Sequence, residues 1–140
     1  MNRRHLLRTA PLLALAGCVG RGGNDDDRPN VTDRSFDDTG ECSAPETATV
    51  DAAATEVRID GCVTGPNGCA VASLGSATVD GDELTVVVAT ERDAPPDVAC
   101  TEALVYRGYV ATVTLDGRVS SVRVDHDTPS GRTTVVDRSV

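Results

Sequence analysis

The chain has 140 residues, 13 basic and 22 acidic, for a net charge of −9, and every basic residue is arginine. That length holds one small domain, and so acidic a surface excludes binding that depends on Lys/Arg clusters neutralising phosphates. Aromatic residues amount to 2%, namely Phe36, Tyr106 and Tyr109, which excludes single-strand nucleic acid binding by base stacking.

The chain opens N-R-R-H-L-L-R from Asn2 to Arg8, continues with the short apolar run Leu12–Ala16, and reaches Gly17-Cys18. A charged start, a short apolar stretch and small residues at the cut predict a cleaved export signal over residues 1–17. The alternative is an N-terminal helix with a buried cysteine. The apolar run falls short of the roughly 20 residues that span a bilayer. Arg3-Arg4, followed by two leucines and a base, resembles the twin-arginine export signal, with Asn2 where Ser or Thr is usual. Leu15-Ala16-Gly17-Cys18 resembles the lipobox of exported lipoproteins. The two resemblances cover residues 2–18. They imply a lipidated Cys18 as the mature N-terminus, inserted in membrane lipid on the extracellular face of the cell membrane.

Cleavage before Cys18 removes three arginines and no acid, taking the net charge from −9 to −12. Aspartate outnumbers glutamate, lysine is absent, and Val, Ala and Thr replace bulky apolar residues. This balance suits molar salt, where the Debye length is about 3 Å and self-repulsion is screened. It resembles the composition of secreted proteins of halophilic archaea.

Residues 18–41 read as a lipidated start and an acidic, disordered tether. Glycine, proline and acid dominate, Phe36 is the one large apolar side chain, and neither a 3.6 nor a 2.0 period appears. Asn30-Val31-Thr32 within it is an N-x-T acceptor, which makes Asn30 a candidate glycosylation site.

From Cys42 to Val140 the pattern is that of a folded domain. Thr55–Asp60 alternates polar and apolar; Leu84, Val86 and Val88 share a face; so do Tyr109, Ala111, Val113 and Leu115, and then Val122 and Val124. Asp80-Gly81 and Asp116-Gly117 read as hairpin turns. Thr128-Pro129-Ser130-Gly131 turns the chain into a last strand over Arg132–Val136, and residues 65–68 and 94–97 are loops. The expectation is an all-β fold: a small antiparallel, immunoglobulin-like β-sandwich of six or seven strands. It lacks the tryptophan of true immunoglobulin domains.

Beyond Cys18 four cysteines remain, Cys42, Cys62, Cys69 and Cys100. An even number in a small exported domain reads as two disulfides with three possible connectivities. The rival, a Cys₄ zinc site, lacks any C-x₂₋₄-C pair. Gly61, the stretch from Cys69 to Leu74, L-T-V-V-V, Cys100, the strand with Tyr106 and Tyr109, and V-R-V-D-H resemble an uncharacterised domain of exported lipoproteins. That resemblance implies pairing Cys69 with Cys100 and leaves Cys42 with Cys62; the nearest alternative joins Cys62 to Cys69.

Chemistry-bearing constellations are few. His126, within Asp125-His126-Asp127, carries the types that suit zinc or manganese. On a strand, though, the two aspartates face away from it, so a partly buried histidine flanked by solvated acids is the plainer reading. Asp80-Gly81-Asp82-Glu83 lacks the spaced ligands of a calcium loop. No G-x-S-x-G elbow, phosphate-binding loop or dinucleotide fingerprint occurs. Tyr106, Arg107 and Tyr109 form either a recognition patch or, for Tyr109, part of the core.

The sequence therefore predicts a monomeric, lipid-anchored surface protein with no enzymatic activity, no metal and no cofactor. It would act as a binding or accessory module for an envelope protein or a small extracellular ligand. Loops carry such function in sandwiches, so residues 65–68 and 91–99 are candidate contacts. The alternatives are a loop-presenting protease inhibitor and a metal-dependent hydrolase using His126.

Overall fold

A computed structural model describes residues 28–140. The export signal at 1–17 with Arg3 and Arg4, the lipidation site Cys18, and the linker to residue 27 lie outside the described residues. Within them the chain forms eight strands: β1 Val31–Glu41, β2 Thr47–Ala53, β3 Glu56–Gly65, β4 Ala70–Asp80, β5 Glu83–Arg92, β6 Val105–Leu115, β7 Ser121–Thr128 and β8 Gly131–Ser139. They make two four-stranded sheets, ordered β1-β6-β3-β2 and β4-β5-β7-β8. The fold is an all-β sandwich.

Alternation places the core. Val57, Ile59 and Val63 of β3, with Tyr109, Ala111, Val113 and Leu115 of β6, face Leu84, Val86 and Val88 of β5 and Val122 and Val124 of β7. The inward side chains are mostly small, and two disulfides brace the fold. Cys42 pairs with Cys62 and Cys69 with Cys100, across 20 and 31 residues. Cross-links of that length stabilise by about 3–4 kcal/mol each in the chain-entropy account.

Three features depart from the sequence pattern. First, residues 31–41 are not tether: they form β1, antiparallel to β6. A ladder is made by backbone groups, and β6 already supplies the apolar face, so an edge strand there needs few apolar side chains. Phe36 stacks on Tyr109 with ring centroids 5.4 Å apart. The positive φ of Gly40, 99°, accommodates the irregularity after Asp38.

Second, Asp116-Gly117 does not close a hairpin, because β6 and β7 belong to different sheets. The crossing segment docks instead on the β4–β5 turn, where the Ser120 N–H donates to the Asp82 carbonyl (2.8 Å) and its hydroxyl to the Asp82 carboxylate (2.6 Å). Asp80-Gly81, by contrast, does join the antiparallel pair β4–β5. Third, the excursion through β6 brings β7 back beside β5 in parallel, Leu84 opposite Val122 and Val88 opposite His126.

Side chains close the sandwich edges. The Asp38 carboxylate on β1 accepts the Ala72 N–H of β4 (2.8 Å), the Gly40 N–H (2.8 Å) and two bonds from Arg107 (2.7 and 3.1 Å). Burial raises the Asp38 pKa, but Arg107 and the two backbone donors outweigh it and leave the group below its ordinary value. At the opposite seam Arg138 of β8 donates to the Val50 carbonyl of β2 at 3.1 Å.

Candidate functional site

Strand register sorts the loops to the two ends of the sandwich. Gly65 pairs with Val105, Ala70 with Arg92 and Thr128 with Gly131, so loop 66–69, loop 93–104 and turn 129–130 share one end. Val31 pairs with Leu115 and Ser121 with Ser139, so the entry of the chain at residue 28 and its exit at Val140 share the other.

At the loop-bearing end lies a cleft of about 320 Å³, lined by Pro45, Glu46, Thr64, Leu104, Tyr106, the turn Thr128–Ser130 and Thr133. Leu104 is 58% and Tyr106 41% exposed, which makes them two of the largest apolar surfaces left to solvent. Glu46 adopts a left-handed φ of 59°, uncommon for a non-glycine residue, and its N–H donates to the Cys62 carbonyl at 2.8 Å. Because Cys62 is cross-linked to Cys42, the disulfide steadies the turn that presents this carboxylate.

The Glu46 side chain reaches inward. One oxygen accepts the Thr64 N–H at 3.0 Å, and the other lies 3.1 Å from Nδ1 of His126. Nε2 of His126 is 2.7 Å from the Tyr109 hydroxyl. With the carboxylate as acceptor, Nδ1 carries the imidazole proton and donates to Glu46, and Nε2 accepts from the Tyr109 hydroxyl. His126 is wholly buried. Burial lowers its pKa, opposed by Glu46 and Asp125, and the net shift is downward, so the ring is held neutral. Burial, with Glu46 and Asp60 adding, pushes the Tyr109 phenol above its ordinary range. A Cβ at Gly61 would lie 2.5 Å from Cζ of Tyr109 and 2.8 Å from the Thr47 carbonyl oxygen, so only glycine leaves room for this ring.

The relay looks like a nucleophile–base–acid chain, but its hydroxyl belongs to a tyrosine that is 1% exposed and meets the core. It fixes the Glu46 carboxylate. The hydroxyl has no face toward a substrate.

The other predicted residues fall as follows. Asp125 is buried rather than solvated, and burial raises its pKa less than Thr134 and Arg123 lower it. It accepts Thr134 at 2.7 Å and Arg123 at 3.0 Å, while Asp127 faces Arg132 at 3.5 Å. Neither aspartate joins His126, whose partners come from residues 46 and 109 instead. Asp82 and Glu83 accept from Ser120 and Ser121 and do not converge. The Tyr106–Tyr109 trio is split: Tyr106 at the cleft, Arg107 on Asp38, Tyr109 in the core.

Asn30 is exposed at the entry end, its N–H donating to Asp116 at 2.6 Å. Loop 93–104 is braced from within by Arg92, which donates to the carbonyls of Pro95 (2.8 Å) and Val98 (2.6 Å) beside the Cys69–Cys100 bond. Loop 65–68 is held by the Gly68 N–H on the Thr101 carbonyl at 2.9 Å. Sequence reasoning missed Glu46 and Leu104. A glutamate after a proline carries no local signal, and it meets His126 only because the fold closes 80 residues of chain. No protein-family model, curated protein or solved structure matches this chain.

Proposed function

We propose that the protein is a surface lipoprotein, exported by a twin-arginine signal and anchored through Cys18 on the extracellular face of the membrane. On that anchor it carries a non-catalytic binding module. One observation carries the reading: the cleft and its flanking loops sit at the end of the sandwich opposite residue 28, where the chain arrives from the anchor. A domain so oriented offers its cleft outward, to an envelope protein or a small extracellular ligand. The residues between Cys18 and Val31 span at most about 3.3–3.6 Å each, so the module stands within a few tens of ångströms of the lipid.

The test is the intact mass of membrane-extracted protein, alkylated with and without reduction. The expected mass begins at a lipidated Cys18 and takes up alkylating groups at four cysteines only after reduction. A chain retaining Met1, or free thiols before reduction, overturns the reading.

A second reading, a protease inhibitor presenting loop 93–104, draws support from the bracing of that loop by Arg92 and a disulfide while Val98 stays 45% exposed. Preorganised loops bind with less ordering cost. Unchanged activity of serine and cysteine proteases at a molar excess of the protein would dismiss it.

A further inference from the structure

We infer that the cleft takes a small organic monocation, an ammonium group bearing a short apolar substituent, with the Glu46 carboxylate as its counter-ion. This rests on the reading of the domain as a binding module and names its ligand chemistry.

Among the described residues Glu46 is the only charged one lining the cleft; the others are Thr, Ser, Pro, Leu and Tyr. Its two carboxylate oxygens are held by neutral donors, the Thr64 N–H and the His126 ring, and no arginine among the described residues pairs with it. Each oxygen accepts one such bond and keeps capacity for another. The side chain is 32% exposed and lines the cleft, where a ligand can approach it. A carboxylate fixed in advance, without a counter-ion, loses little freedom when a cation arrives.

The rest of the lining sets the ligand's other half. Leu104 and Tyr106 supply exposed apolar and aromatic surface beside the charge, where an alkyl group gains by burial and an ammonium gains against a ring face. About 320 Å³ suits a small molecule rather than a peptide. Anions meet Glu46 and a chain of net charge −9. Zwitterionic amino acids would place their carboxylate where none of the described lining residues is basic. A divalent metal is bound by a set of converging oxygen ligands, and here a single carboxylate, with both oxygens already accepting hydrogen bonds, is the one charged donor.

The experiment is a titration of the full chain followed by amide chemical shifts, with three near-isosteric probes: isobutylammonium, isobutanol and valine. Isobutylammonium is expected to shift the amides of Glu46, Thr64, Leu104 and Tyr106 and to bind about tenfold tighter than either of the others, one charge-assisted contact's worth. Glu46→Gln is expected to remove that preference and leave isobutanol binding as it was. Because Glu46 also holds His126, Thr133→Arg serves as the second variant. It sets a cation in the cleft while leaving the Glu46, His126 and Tyr109 side chains in place, and is expected to abolish isobutylammonium shifts in a protein that circular dichroism shows to be folded.

Equal affinity for isobutanol, tighter binding of valine, or a preference for the ammonium that survives both variants overturns the inference but leaves a binding cleft. If no probe moves the cleft amides, the inference is overturned, while a lipidated, disulfide-closed mass still upholds the surface lipoprotein.

Discussion

Replacing Tyr109 by phenylalanine removes one oxygen atom and leaves the ring against Phe36 and Gly61 in place. The Tyr109 hydroxyl is the donor that satisfies Nε2 of His126, at 2.7 Å, and His126 has no exposure through which water could substitute. A buried acceptor stripped of its donor costs about 1–3 kcal/mol. For a domain of this size each kcal/mol moves Tm by about 4 °C, so Tyr109→Phe is expected to melt at least several degrees lower. Guanidinium unfolding followed by circular dichroism gives the free energy directly, with an unchanged slope if only stability has moved. Tyr106→Phe is the matched control: its side chain is 41% exposed, and surface changes of this kind stay within about 0.5 kcal/mol. Should Tyr109→Phe fall within the same 0.5 kcal/mol as the control, the argument that the hydroxyl completes a buried relay is wrong.

Acid should destabilise the protein in two separate windows. Burial holds the folded pKa of His126 below its ordinary 6.5, so stability is full above that value, falls as pH drops below it, and levels off beneath the folded pKa. His126→Gln should flatten this limb in melts run from pH 8 to 5. Asp38 and Asp125 are lowered from 3.8, so their contribution, present above that value, is lost only as pH falls further below it. Asp38→Ala should cost about 1–3 kcal/mol through the lost charged hydrogen bonds, and hydrogen exchange at the Ala72 amide should quicken more than at its β4 neighbours. Replacing Cys69 and Cys100 together by serine opens a 31-residue loop and should lower stability by about 3–4 kcal/mol, read by denaturant melts.

The parts of this fold that the sequence makes legible are those whose own side chains carry the period. In β5, β6 and β7 the inward residues Leu84 to Val88, Tyr109 to Leu115 and Val122 to Val124 alternate visibly, and Tyr109 belongs to the core by the same count. β1 escaped because its stabilisation comes from ladder bonds to β6 and from Asp38, and only Phe36 on it has a large apolar side chain. Asp116-Gly117 misled because a turn dipeptide specifies a local reversal, whereas pairing is decided by which sheet can bury the next strand. The strand period sets His126 on the face of Val122 and Val124, yet its depth and its partners depend on Glu46 and Tyr109, which no spacing along the chain connects to it.

The polar character that hid β1 has a kinetic consequence. Among the described strands β1 is the first to be synthesised, but its partner β6 begins at Val105, some 60 residues later. At about 5–20 residues per second it waits roughly 3–13 s before a ladder is open to it. An apolar strand waiting that long would offer itself to any other unfinished chain. Val31–Glu41, with Asp33, Asp37, Asp38 and Glu41 set against Arg34 alone, repels its like until Val105–Leu115 arrives. The strand most exposed to misassociation during biosynthesis is thus the one least equipped to misassociate.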